Sequence, residues 1–272
     1  MNLAVSLEIL RAQYPIQSIT VHGNIWQIRD TASDELASDA PPLVMLPGAL
    51  GTGDVFHHLM TGMGGRQRLI SVSFPPLANA GDLADSFMQL MDVMALSVID
   101  LLGTSLGGYV AQIVALSNRP RIRKLILANT FYDPSIQQAR WPSVDKYMQL
   151  SSDEILSAVR LQLENGPAPT SASAQLKKLM LELVGTEQSC DHVKAMRLAV
   201  LTAQPLAKVS FNAADLSLID DEYDPVIAAE TRLQMRHRYA DSRLFKIADG
   251  GHFPAILQPQ AYQEAIKGAL GN

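Results

Sequence analysis

The sequence predicts an α/β fold: a mostly parallel sheet with helices on its faces, interrupted once by a helical insertion. Three observations predict it. Short apolar runs of strand length alternate with amphipathic stretches of helix length, as βαβ units require. Several of the short runs are apolar throughout, which suits strands buried on both faces. The alternation stops between residues 131 and 214 and then resumes.

Composition sets the outer limits. A chain of 272 residues suits one full-sized α/β domain with an insertion. With 47% hydrophobic and 18% charged residues it can fill a large core, which excludes disorder as a description of the chain. A net charge of −5 and the lack of a Lys/Arg run argue against nucleic acid as a partner. The densest basic spot, Arg236 and Arg238 around His237, reads as a solvated helix face. Cys190 is the sole cysteine, so no intramolecular disulfide supports secretion; it reads as a structural thiol.

The elements follow in order. Met1 to Leu10 carries Glu8 and no basic residue, unlike a secretory signal, and Leu3, Leu7 and Leu10 have helical spacing. Ser18–Val21 and Ile25–Ile28 read as a hairpin around His22, Gly23 and Asn24. Residues 31–42 are polar and end in two prolines, a loop. Leu43–Leu46 is a strand buried on both faces, and Leu69–Phe74 is another, stopped by Pro75 and Pro76. Asp82–Ala95 is a helix, Val98–Leu102 a strand, Leu106–Leu116 a helix and Leu125–Asn129 a strand.

Residues 131–214 show helical patterns only, for example Ile155, Val159 and Leu163, or Leu176, Leu179, Met180 and Leu183. Strands return at Leu216–Ile219 and Leu244–Ile247, with helices at Glu230–Tyr239 and Pro259–Leu270. The expected organisation is a core of residues 1–130 and 215–272 with a helical insertion over 131–214. No apolar run approaches the roughly 18 residues of a membrane-spanning helix, so a cytoplasmic location without a membrane span is expected.

Three segments carry chemistry. Gly103-Thr-Ser-Leu-Gly107 matches G-x-S-x-G, in which a strand turns abruptly into a helix and holds a serine on the bend. An apolar strand precedes it and a small-residue helix entry follows, the context that motif needs. Ser105 is the expected nucleophile. Leu46-Pro-Gly-Ala-Leu-Gly51 follows the first buried strand, where an oxyanion hole takes its second backbone donor. Leu106 is expected to supply one N–H and Ala49 the other, with Leu50 as the alternate. Asp249-Gly-Gly-His-Phe-Pro254 follows the last strand, and among six histidines only His252 combines the chain order and loop position of a base that reaches Ser105.

The acid lies between Ser and His in chain order. Asp224, before Pro225, is favoured. Asp220 and Asp221 read as strand-ending or turn-binding residues, and Asp133 stands as a distinct alternative after the preceding strand. The adjacent pair His57-His58 lacks the i, i+4 spacing of two ligands on one helix face, and there is no G-x-G-x-x-G or Walker loop. No metal or organic cofactor is expected.

Taken together, the Pro-Gly-Ala loop, Gly103–Gly108, Asp224 and Gly251-His-Phe-Pro254 resemble the α/β-hydrolase superfamily along nearly the whole chain. Leu46–Phe56, Leu127–Asp133 and Gly250–Pro254 are similar to maspardin-like members. The superfamily resemblance implies an eight-stranded sheet and a helical cap between the sixth and seventh strands, where the insertion falls. The subgroup resemblance also implies a rival role, since maspardin is regarded mainly as a binding protein; it departs from histidine where this chain keeps His252. The usual His-Gly before the oxyanion loop is Pro47-Gly48 here.

The leading expectation is a serine hydrolase acting on a small-molecule ester or thioester. A binding or adaptor protein, and a carbon–carbon bond hydrolase or perhydrolase with the same triad, are the alternatives. Leu and Met residues of the insertion (Met148, Leu150, Leu161, Leu179, Met180) are expected mostly to pack the insertion on itself.

Overall fold

The computed structural model describes residues 3–33, 40–184 and 189–271. Of the sequence segments above, residues 1 and 2 of the N-terminal stretch, residues 34–39 of the loop over 31–42, residues 185–188 of the insertion and residue 272 lie outside them.

Eight strands among the described residues form one sheet: β1 Gln17–Val21, β2 Asn24–Asp30, β3 Leu43–Leu46, β4 Leu69–Ser73, β5 Ile99–Thr104, β6 Ile122–Ala128, β7 Leu216–Asp220 and β8 Arg243–Lys246. Their order is β1-β2-β4-β3-β5-β6-β7-β8. β2 runs antiparallel to β1 and to β4, and every other neighbour is parallel. The β1–β2 hairpin turns on His22 and Gly23 with φ of 47° and 84°. Two successive positive φ values match the turn to the twist of the strands.

The continuous apolar runs are explained by the period of two along a strand. Val44, Leu46, Leu101, Leu125, Leu127 and Leu218 enter one core cluster, while Leu43, Met45, Leu102, Ile126, Ala128 and Ile219 enter the other. Each face is covered by helices. The chain forms α1 Leu3–Gln13, α2 His57–Met63, α3 Ala80–Val93 and α4 Leu106–Ser117 before β6. After β7 come α10 Ala229–Arg238, α11 Pro254–Leu257 and α12 Pro259–Leu270. Residues from α3, α4 and α10 fill the first cluster; residues from α1, α2 and α12 fill the second.

Among the described residues, five helices lie between β6 and β7: α5 Ser135–Ala139, α6 Val144–Gln149, α7 Ser152–Asn165, α8 Ser171–Glu182 and α9 Cys190–Leu201. They do not form one separate body. Tyr147, Ile155, Val159, Val193, Leu198 and Leu201 build a cluster of their own. Leu176, Leu179 and Leu183 instead join the core beside α1 and α12, and Ala195, Met196, Ala199 and Val200 of α9 join the core beside α4. Met148 and Leu161 are exposed, so they pack neither the insertion nor the core. The Cys190 thiol donates to Asp153 at 2.9 Å.

The basic spot on α10 is not a free solvated face. Arg236 forms a two-point ion pair with Asp220 at 2.7 and 2.8 Å. Arg238 donates to the Leu206 carbonyl and stacks over Tyr132 at 3.9 Å. These partners lie far away in sequence, which helix spacing alone does not reveal.

Trp26 pins the antiparallel end of the sheet. It is fully buried, packs edge-on to Phe74 and donates its indole N–H to Ser86 Oγ at 3.0 Å. In Ser86→Ala that donor is left buried and unpaired. The expected loss is about 1–3 kcal/mol, read as a lower urea midpoint at unchanged slope.

Candidate active site

The site starts from four adjacent parallel strands. β5, β6, β7 and β8 end on the same side of the sheet, and the residues after them are Ser105, Asn129, Asp221 to Asp224, and Asp249 to His252. Side chains from the loops at the carboxyl ends of such strands converge, which is where open α/β sheets place their chemistry.

Ser105 sits between β5 and α4 with φ of 53° and ψ of −121°. A serine in this region carries strain of about 1–3 kcal/mol, held by its surroundings. The surroundings are close. A Cβ on Gly107 would lie 2.3 Å from the Leu46 carbonyl oxygen and 2.4 Å from that of Pro47. A Cβ on Gly103 would lie 2.3 Å from the Gly107 oxygen. Only glycine lets the start of α4 meet both its own strand and the loop after β3. The Ser105 N–H donates to the Ala128 carbonyl, and its carbonyl accepts from Thr130 Oγ1 at 2.6 Å.

The loop after β3 faces the serine. A Cβ on Gly48 would lie 3.1 Å from Ser105 Cβ. The Gly51 N–H closes the turn onto the Gly48 carbonyl at 2.8 Å. The N–H groups of Ala49 and Leu106 have no acceptor among the described residues. Leu106 opens α4, so the positive end of its dipole points the same way.

Asp224 and His252 meet: Nδ1 of the imidazole lies 2.9 Å from Asp224 Oδ2. Both are well shielded, with side-chain exposures of 0% for Asp224 and 9% for His252. The carboxylate has further donors. Asn129 Nδ2 reaches Oδ2 at 2.8 Å, and the N–H groups of Val226 and Ile227 reach Oδ1 at 2.7 and 2.9 Å. Burial pushes the Asp224 pKa up, but His252, Asn129 and the Ile227 amide outweigh it and leave the value below the ordinary carboxylate range. Asp224 thus stays ionised and holds a proton on Nδ1, leaving Nε2 of His252 as the free basic nitrogen.

Asp133, the alternative acid, is spent on a turn: its Oδ1 accepts from the Ser135 N–H at 2.9 Å and from the Ser135 hydroxyl. Asp221 is fully buried and binds turn amides, taking the N–H groups of Gly250 and Gly251 at 2.6 and 2.9 Å and that of Tyr223 at 2.7 Å. It ties the His252 loop to the end of β7. Two contributors had no signature in the sequence. Asn129, at φ of 44°, bridges Asp224 and the Gly251 carbonyl. His192 of α9 lies against Gly51, where an added Cβ would come within 2.0 Å of its Nε2. No group of three or more His, Cys, Asp or Glu side chains among the described residues is placed to hold a metal ion.

Two outcomes follow from these contacts. Asp221→Ala leaves three N–H groups without their carboxylate and is expected to cost about 2–3 kcal/mol, measured by urea unfolding. Burial lowers the pKa of His192 to about 4, and burial together with His57 lowers that of His58 to about 4. Between the ordinary value of 6.5 and about 4 the unfolded chain binds the extra protons, so stability falls as pH drops through that window. The melting temperature is expected to decline from pH 7 to 4.5, less steeply in His58→Gln and His192→Gln.

Comparison with known proteins agrees with this architecture. The model of the alpha/beta hydrolase family matches residues 21–265. Human maspardin is 28% identical over 258 residues, covering 91% of this chain and 80% of that protein. Pimeloyl-[acyl-carrier protein] methyl ester esterase of Aeromonas hydrophila is 27% identical over 267 residues, covering 89% of this chain and 100% of that protein. The crystal structure of the enol-lactonase from Burkholderia xenovorans LB400 superposes with a TM-score of 0.74 at 15% identity, over 94% of this chain and 100% of that one. The chain belongs to the alpha/beta hydrolase family.

Proposed function

We propose that the protein is a serine hydrolase that cleaves an ester or thioester through an acyl-enzyme on Ser105. The observation that carries this reading is the 2.9 Å His252–Asp224 hydrogen bond, formed at the sheet end that also carries the strained Ser105. His252 Nε2 takes the proton of Ser105 Oγ as the oxygen attacks the substrate carbonyl. Asp224 keeps the imidazole in the required tautomer and stabilises its charged form. Negative charge then develops on the carbonyl oxygen. The N–H groups of Leu106 and Ala49 are its donors, with Leu50 as the alternate to Ala49; one such donor is worth about 3 kcal/mol in the transition state. The imidazolium returns its proton to the departing alcohol or thiol. Water, activated by the same nitrogen, releases the acid and restores Ser105.

The substrate is a small-molecule acyl compound, and the chemistry requires no metal or organic cofactor. The Aeromonas relative, named for action on a methyl ester, supports the ester class. We assign α6, α7 and α9 to a cap over the site, since Leu50 of the loop after β3 packs against their cluster. No helix among the described residues is long and apolar enough to cross a membrane.

A fluorophosphonate probe is expected to label the wild type and to fail on Ser105→Ala and His252→Ala. Asp224→Asn is expected to lower kcat by roughly four orders of magnitude. A panel of esters, thioesters and β-diketones separates ester cleavage from carbon–carbon cleavage. A folded wild type that neither takes the probe nor turns over any ester overturns the proposal. That result would favour the binding role suggested by the likeness to maspardin.

A further inference from the structure

Helix α9 meets the loop after β3 through His192, a side chain that the proposed reaction does not use. Gly51 has φ of 73° and no side chain, and the imidazole fills the space where one would begin. A Cβ on Gly51 would lie 2.0 Å from His192 Nε2, 3.0 Å from Cε1 and 3.1 Å from Cδ2. That Nε2 is buried and has no hydrogen-bond partner among the described residues. Buried polar atoms without a partner are rare in folded proteins. Burial lowers the pKa of His192 to about 4, so the ring is neutral near pH 7. Packing rather than hydrogen bonding holds the tip of the ring at Gly51.

Gly51 is the last residue of a tight turn. Its N–H donates to the Gly48 carbonyl at 2.8 Å, which makes Ala49 and Leu50 the two central residues. The Gly51 carbonyl accepts from the Phe74 N–H, just after β4, at 2.8 Å. At the other end of the turn, a Cβ on Gly48 would lie 3.1 Å from Ser105 Cβ. The Ala49 N–H between these ends has no acceptor among the described residues. The insertion holds the turn at two further points. Leu50 packs against the cluster that contains Val193, the neighbour of His192 on α9. His192 itself makes the contact at Gly51. α9 is a firm support, since its Ala195, Met196, Ala199 and Val200 belong to the main core.

We propose that His192 is a positioning residue of the turn that carries the Ala49 N–H: by filling the side-chain space of Gly51, it fixes the direction of that donor toward the oxyanion. The inference rests on the serine-hydrolase reading and deepens it, since it gives the insertion a part in the catalytic step. A preorganised donor acts where charge develops in the transition state, and a displacement of about 1 Å can lower the rate by up to about a hundredfold. Acylation and deacylation both pass through an oxyanion, so a turn that loses its support slows both steps alike. kcat then falls while KM stays.

The test compares hydrolysis of p-nitrophenyl esters by wild type, His192→Ala and His192→Gln. Active sites are counted by fluorophosphonate titration, so that unfolded protein does not enter kcat. His192→Ala is expected to lower kcat by about tenfold or more with KM within about twofold, and His192→Gln, whose amide reaches as far as Nε2, to stay within about threefold of wild type. An unchanged kcat per active site in His192→Ala overturns the proposal and leaves the hydrolase reading standing. A rise in KM at constant kcat also overturns it, because the ring would then contact substrate rather than hold the turn. If the wild type hydrolyses no ester, the hydrolase reading fails, and hydrogen exchange of the Gly51 amide, followed by NMR, decides whether the ring holds the turn. Faster exchange in His192→Ala with the β5 amides unchanged supports that hold, and equal exchange overturns it.

Discussion

The approach of α4 to the loop after β3 is the contact on which the candidate site depends. At Gly107 two carbonyl oxygens stand where a side chain would begin, and at Gly103 the neighbouring turn of the chain does. With those positions empty of side chain, β5 can pass directly into α4, which forces Ser105 to φ of 53°. The strain is held from three sides: the Ala128 carbonyl on the Ser105 N–H, Thr130 on its carbonyl, and the Pro47–Gly51 loop against its side chain. The Leu106 and Ala49 N–H groups are left without an acceptor among the described residues. A single packing constraint thus sets the serine, its strain and the candidate donors together.

The second half of the site is organised by charge rather than by packing. Two buried carboxylates, Asp221 and Asp224, lie three positions apart just after β7 and do different work. Asp221 spends its oxygens on backbone N–H groups and so fixes the loop that carries His252. Asp224 divides its oxygens, one for the Val226 and Ile227 amides and one for His252 and Asn129. Arg232 closes the arrangement by donating to the carbonyls of Glu222, Asp224 and Ile227. Every charged group here has its partners, which is the condition under which buried charges hold a geometry rather than disrupt it.

Local features were legible in the sequence where local physics decides them. The strands from β3 to β7 show as apolar runs because each feeds two core clusters, and the serine turn shows because its glycines must flank it at fixed spacing. β6 starts at Ile122, earlier than the apolar run suggests, because Arg123 and Lys124 lie at its polar start, where Arg123 pairs with the buried Asp100. Its end is set by Asn129, whose positive φ and bond to Asp224, 95 residues away, leave no periodic trace. The same holds for Arg236 and Arg238: their charges suggest a solvated face, and only the folded chain supplies Asp220 and Tyr132. Helix α8 was readable as a helix, but not as one that packs beside α1 and α12.

The packing of α9 bears on how a substrate would enter. Ala195, Met196, Ala199 and Val200 tie this helix into the main core, while Val193, Leu198 and Leu201 tie it to the insertion. A helix buried on both sides moves at the cost of two clusters, whereas α6 and α7 leave Met148 and Leu161 in solvent. Movement within the insertion is therefore expected through α6 and α7, with α9 fixed. Groups that define a binding geometry need supports that stay still. His192 stands on α9, so its contact with Gly51 has the support of both clusters while the rest of the insertion moves.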